Sequence, residues 1–379
     1  MLPAVLCSLS GFLLPSSPLF TASRSRHSAS IAASASLEQN VLLLDHLNIN
    51  HAKGRHDLLS AFYFDLLGCA PDPRKEDNLL KGRKTLWANL GITQFHLPEA
   101  DVPQVWEGVV TLGYVSLEGV RGRLAAGAKA LEGTRFSVTE EAAGSLLLVD
   151  PWGTKFKLVE MGDQAKDGRG SQKGEPSEEG RLVDLLCDVS ADANLEGIGR
   201  FYEQVLGCEV GASENRVTVS TGPGQTLSFA RASESDTVAH EDLALTDEGE
   251  PCNLGPHISI YLRNMGAAYA RADALGITYV NHRFKRRAYN REEATARGIE
   301  RSRESSTAHT HMRMSRHDSL ARQAIEQCMF RILEVVDPED VGAGPIVRLE
   351  HEVRSITKAD GGKYKSCPLE LEACLEVPA

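Results

Sequence analysis

At roughly 150 residues per domain, a chain of 379 residues points to two or three domains. Its composition, 42% hydrophobic and 25% charged, is that of a globular protein rather than a collagenous or wholly disordered one. Forty-one Lys and Arg against 52 Asp and Glu leave a net charge of −11, which argues against a chain-wide electrostatic grip on nucleic acid or anionic lipid. Eight cysteines, none spaced as CxxC, do not read as a disulfide scaffold, a zinc ribbon or a dithiol redox pair.

Residues 1–37 contain no Asp or Glu, and run from an apolar stretch, LPAVLCSLSGFLL, into the Ser/Ala/Arg segment TASRSRHSASIAASAS. The apolar stretch, broken by flanking prolines, falls short of the ~20 residues that span a bilayer, so this segment reads as a targeting presequence. Its two-part order resembles the bipartite presequences of algae with complex plastids. A plastid location is therefore expected, with another organelle or the secretory pathway as the alternative. No later apolar run approaches membrane length, and no membrane partner is expected.

The remainder is an internal repeat at an offset of 139 residues. LLDHLNIN (43–50) falls over LVDLLCDV (182–189), and Phe62, Tyr63, Leu67, Gly68 and Cys69 recur as Phe201, Tyr202, Leu206, Gly207 and Cys208. Each copy opens on an alternating strand, then an amphipathic helix ending in Leu-Gly, where glycine takes the left-handed stop, and then short strands. A second such unit follows within each copy. The expectation is an α+β fold of four βαβββ modules, two per half, with halves at 41–160 and 181–356. A polar linker spans 161–180, an Arg/Ser/His-rich insertion near 285–327 reads as disordered, and 357–379 is a tail. His309, His311 and His317 lie within nine residues in the insertion, with no cysteine beside them to complete a fixed metal site. Tyr289 is the one aromatic among the arginines there, and no nucleic-acid partner is expected.

Three features carry a family resemblance: the opening LDHLNI (44–49), the FY…LG helix end, and the closing DPWGTKFKL (150–158). Together they resemble the vicinal oxygen chelate superfamily, which includes glyoxalase I, extradiol dioxygenases and fosfomycin-resistance proteins. The resemblance covers 41–160 closely and 181–356 loosely. It implies paired modules that curl into a cup of mixed sheet, where a divalent metal (Fe, Mn, Ni or Zn) is chelated by adjacent oxygens of a small substrate.

Carried over position by position, the resemblance places metal ligands at His46 on the first strand and at His96 in QFHLPE. A one-residue slip there would present Phe95 instead. Thr111 and Lys157 occupy the remaining ligand positions of the first half, and a lysine opposes a divalent ion. In the second half Leu185 replaces the first histidine, Ser228 or Phe229 takes the next position, His257 matches the fifth-strand ligand, and the last falls on Arg348 or Glu350. Strand alternation puts Arg348, Glu350 and Glu352 on one face. The candidate metal ligands are thus His46, His96, His257 and Glu350, with Lys157 and Arg348 as candidate catalytic cations.

Two functions follow. The first is a metal-dependent lyase, isomerase or dioxygenase acting on a small oxygen-rich substrate. The second is a metal-free cup of the same fold that binds a small anion through Lys157 or Arg348. The duplication lets one chain supply internally the pairing that a dimer would supply, so a monomer is expected.

Overall fold

The computed structural model describes residues 40–75, 85–141, 144–172, 180–232, 256–279 and 329–356. The presequence, the Arg/His-rich insertion, the tail and residues 173–179 of the linker lie outside the described residues. All described residues belong to one compact unit. No helix among them is long and apolar enough to cross a membrane.

The four modules are present in order. The first comprises β1 (Val41–Asn48), the helix α1 (His56–Leu59), then β3 (Ala70–Pro71), β4 (Thr85–Leu90) and β5 (Thr93–Ala100), with the short β2 (His51–Ala52) ahead of α1. The second comprises β6 (Gly108–Tyr114), α2 (Glu118–Gly127), β7 (Ser137–Glu140), β8 (Leu146–Val149) and β9 (Lys155–Glu160). In the third, β10 (Gly180–Val189) and α3 (Leu195–Phe201) lead to β11 (Val210–Ser213), β12 (Arg216–Ser220) and β13 (Thr226–Arg231). The fourth has β14 (His257–Leu262), α4 (Met265–Ala274), β15 (Thr278–Tyr279), β16 (Met329–Val336) and β17 (Pro345–Ser355).

The repeat is visible in how the helices end. Both α1 and α3 widen into π-helical turns, Ser60–Leu66 and Tyr202–Leu206. Gly68 and Gly207 then stop them at φ of 76° and 73°. Beyond each glycine, the Cys69 and Cys208 N–H groups donate back to the carbonyls of Tyr63 and Tyr202 at 3.0 Å, the long reverse bond of a glycine-stopped helix. The DPWG turn is equally local. Asp150 accepts from the backbone N–H groups of Trp152, Gly153 and Thr154 at 2.7–2.9 Å, and Gly153 takes a φ of 123° that disfavours any side chain.

The sheets cross the boundary between the halves. The sequence reading expects each half to close its own cup. Instead the first module joins the fourth in a nine-stranded sheet, order β15-β16-β17-β14-β1-β5-β4-β3 with β2 on β5. The second joins the third in an eight-stranded sheet, order β11-β12-β13-β10-β6-β9-β8-β7. In both, two modules meet through their first strands, antiparallel: β1 on β14 and β6 on β10. The physical reason is that an open first strand accepts any antiparallel partner with a matching apolar face, and the repeat supplies two of them. The β6–β10 seam is tight, since a Cβ on Gly108 would lie 1.9 Å from the Leu186 carbonyl oxygen.

One face of each sheet packs on the helices and forms a continuous core, in which Phe62, Tyr63, Phe95 and Phe156 meet at ring distances of 5.2–6.0 Å. The other face of the nine-stranded sheet is polar yet buried, and carries His46, Gln94, His257, Ser259, Glu350, Glu352 and Arg331.

The third and fourth modules are also tied through an ion pair. Arg200 on α3 donates to Asp337, just after β16, at 2.9 and 2.5 Å, and Asn194 adds a bond at 3.0 Å. The Arg200 bonds, working against burial, lower the Asp337 carboxyl from 3.8 to about 2. Between those values the unfolded chain holds the proton that the folded chain refuses. Stability from this pair is therefore full above pH 3.8 and lost as pH falls toward 2. Discounted for the partial exposure of Arg200, the loss is about 1 kcal/mol. Urea melts of Asp337→Asn at pH 7 should show that loss, and a flatter acid limb than wild type. Superimposable pH profiles for the two proteins would disprove the assignment.

Candidate metal centre

The pairing of β1, β14 and β17 gathers side chains from positions about 300 residues apart. The register sets His46 opposite Ser259 on β14, and Ser259 opposite Glu352 on β17, with His257 opposite Glu350 one step along the face. A bulge in β1 between Leu44 and His46 lets Leu44 and Leu47 face the core while His46 faces the cup. As a result one ligand atom each from His46, His257 and Glu352 lies within 4.8 Å of the others. All three residues are buried.

His46 is oriented from behind. Its Nδ1 is 2.8 Å from Asp45 Oδ2, and the other Asp45 oxygen accepts from Gln172 Nε2 at 3.0 Å. A carboxylate on Nδ1 holds the proton there and turns the Nε2 lone pair outward. That Nε2 is buried and has no hydrogen-bond partner among the described residues.

Arginines clamp both carboxylates of β17. Arg331 donates to Glu350 at 2.5 Å and also bonds Glu352, which Arg354 bonds as well. Burial pushes the Glu352 carboxyl up, but Arg331 and Arg354 outweigh it and keep it well below the usual carboxylate range. His257 stands between the two acids, with Nδ1 4.0 Å from Glu350 and Nε2 4.0 Å from Glu352. Each carboxylate oxygen carries two acceptor positions, so an arginine bond leaves one for a metal. Two histidines and one carboxylate, with other positions open, are a set suited to a divalent transition metal.

His96 lies at the edge of this group. The slip that would have presented Phe95 does not occur, and His96 faces the cup. Its ring stacks flat between His46, at 3.7 Å, and Trp87, at 4.2 Å. Its Nε2 is 2.5 Å from Gln94 Oε1 and donates to it, and Gln94 in turn donates to Asp72 at 2.7 Å. Burial, together with His46, Arg354, His257 and Arg74, holds His96 well below the normal imidazole value and therefore neutral. A ring stacked on its neighbour does not aim at the same point, so His96 stands beside the cluster.

Neither a family profile nor a curated protein matches the sequence. A dioxygenase-class protein from Bacillus subtilis is 12% identical, with a TM-score of 0.43 over 84% of this chain and 86% of that one. Glyoxalase I from Zea mays is also 12% identical, with a TM-score of 0.36 over 61% and 78%. A 2,3-dioxygenase from a Pseudomonas species matches at 12% identity and a TM-score of 0.26, over 86% and 94%. These three structural neighbours carry glyoxalase or dioxygenase names.

The remaining candidates lie apart. Lys157 is on β9 of the other sheet, where it pairs with Glu141 at 2.7 Å and is 40% exposed. Arg348 shares the face of Glu350 but sits at the rim, 36% exposed and 3.4 Å from Glu334. Thr111 and Asp184 pair opposite each other on the eight-stranded sheet, whose described strands carry no histidine. Asp184 there is taken up by Thr226, Ser228 and Arg216 at 2.6–2.9 Å. Glu352, Asp45, Arg331 and Arg354 were not singled out from sequence. Glu352 and Arg354 leave a trace in the charged run EHEVR (350–354), Asp45 only in its place before His46, and Arg331 none.

Asp45→Asn tests the orientation of His46. It keeps the side-chain shape but weakens the bond to Nδ1, and should reduce uptake of a divalent metal by about 10-fold with little change in the melting temperature of metal-free protein. Uptake equal to wild type, measured by calorimetric titration, would show that Asp45 does not act through His46.

Proposed function

We propose that the cup of the nine-stranded sheet is the working centre of a metal-dependent enzyme, with His46, His257 and Glu352 as ligands of a divalent metal and a small oxygen-rich substrate as its partner. The observation that carries this reading is the outward, unclaimed Nε2 of His46 beside His257 and an ionised Glu352. Among metal-dependent chemistries, a set of two histidines and one carboxylate with open positions favours a non-haem Fe(II) oxygenase over a lyase or isomerase. Such an ion supplies Lewis acidity toward adjacent substrate oxygens.

The chain's own groups supply the rest. Asp45 fixes the tautomer of His46. Arg331 and Arg354 keep Glu352 ionised, and Arg354 also donates to the Tyr261 hydroxyl at 3.2 Å. His96, neutral and with Nε2 committed to Gln94, packs against His46 beside the cup. The metal-free anion-binding alternative is the weaker reading, because Lys157 and Arg348 already have carboxylate partners and the cup itself is lined by two glutamates.

Reconstitution under argon followed by elemental analysis is the test. Wild type should retain about one equivalent of Fe(II) in the cup, and His257→Ala should lose it. Oxygen consumption should then appear with ortho-diphenols and not with thiohemiacetals. Isomerisation of a thiohemiacetal without oxygen uptake would replace the oxygenase reading by the lyase one. Failure of the cup to bind Fe, Mn, Ni or Zn would end both.

A further inference from the structure

A second cluster of ligating side chains lies on the opposite face of β5, beneath the start of α1. His51 on β2 and Glu99 on β5 are register partners, and His56 opens α1. Glu99 is three residues past His96, which puts it about 10 Å further along the strand and, by alternation, on the other side of the sheet from the cup. One ligand atom each from His51, His56 and Glu99 lies within 4.8 Å of the others. The two imidazoles are 5.1 Å apart and tilted by 37°.

The surroundings hold these groups in place without satisfying them. Glu99 Oε1 accepts from the Gly54 N–H at 2.7 Å, in a turn where Gly54 adopts a φ of 76°, and lies 3.7 Å from His56 Nε2. The Lys53 N–H donates to Ala100 at 3.0 Å, which keeps the turn alongside β5. His51 is 1% exposed, yet neither of its ring nitrogens has a hydrogen-bond partner among the described residues, and neither does His56 Nε2. A neutral imidazole offers one lone pair, so the two rings and Glu99 supply three ligand atoms to one point.

Charge favours a cation. Lys53 pairs with Asp101 at 3.3 Å and Arg55 grips Asp57 through two bonds of 3.0 Å. With Glu99 the local count of Lys, Arg, Asp and Glu is two cations and three acids, a net of −1. His56 and Glu99, whose side chains are 21% and 11% exposed, leave an approach from solvent.

We propose that His51, His56 and Glu99 form a second divalent transition-metal site, of the zinc class, independent of the cup. Three protein ligands leave one tetrahedral position open to water on the solvent side. The metal clips the turn between β1 and α1 onto β5.

The experiment uses the full chain, stripped with chelator and reloaded with Zn2+, or with Co2+ for its visible spectrum. In a His46→Ala background, which removes the cup, the protein should still bind about one Zn2+ and melt at a higher temperature with zinc than without. Adding His56→Gln or Glu99→Gln should weaken that binding at least about tenfold and abolish both the melting shift and the tetrahedral Co2+ spectrum. His56 and Glu99 are half-buried, and melts of the metal-free variants verify that each folds. Two outcomes overturn the site: a His46→Ala protein that binds no zinc, or zinc uptake unchanged by His56→Gln and Glu99→Gln. The second would leave His56 and Glu99 as an ion pair only. A wild-type chain whose cup takes up no metal while this site still binds zinc would refute the proposed enzyme and not this site.

Discussion

The antiparallel seam between β1 and β14 is the constraint on which the rest of the molecule depends. It joins the first module to the fourth, so a histidine from one end of the chain lies beside a histidine and two glutamates from the other. Side chains alternate across a strand, and only one register puts His46, Ser259 and Glu352 in line while Leu47 and Ile258 remain in the core. A slip of one residue would bury the cup's charges among leucines. The penalty for that error is what makes the register unique.

The polar face would be an expensive way to gain stability. Arg331, Arg354, Glu350 and Glu352 are all withdrawn from water, and buried ion networks of this kind stabilise no better than apolar side chains of similar volume. Their arrangement instead holds Glu352 anionic beside the imidazoles. Asp45 does the complementary work on the other side of His46. Each of these groups conditions a neighbour's lone pair.

Duplication has left the two sheets with the same topology and different interiors. Asp45 and Asp184 are equivalent by repeat, but Asp45 backs a histidine while Asp184 is spent on Thr226, Ser228 and Arg216. Lys157 is compensated by Glu141 at the surface. One sheet has thus concentrated the chemistry and the other has become a closed polar network that supports it. The close approach at Gly108 shows how firmly the second and third modules are pressed together.

Much of this was legible without coordinates, wherever the signal was local. The alternating strands and the Leu-Gly helix stops at Gly68 and Gly207 each depend on residues within a few positions of one another, and each formed as read. His46 and His257 were placed as candidate ligands by the family resemblance, through their positions on two first strands. The sequence did not say which modules pair, because four first strands with similar apolar faces are interchangeable until the whole chain packs. It did not separate Glu350 from Glu352, since both share one face of β17 and only the register with β14 decides which stands beside both histidines. His51, His56 and Glu99 were likewise invisible as a group, because strand pairing brings Glu99 to a turn more than forty residues earlier. Local alternation determined which faces are polar, and long-range hydrogen bonding between strands determined which polar groups meet.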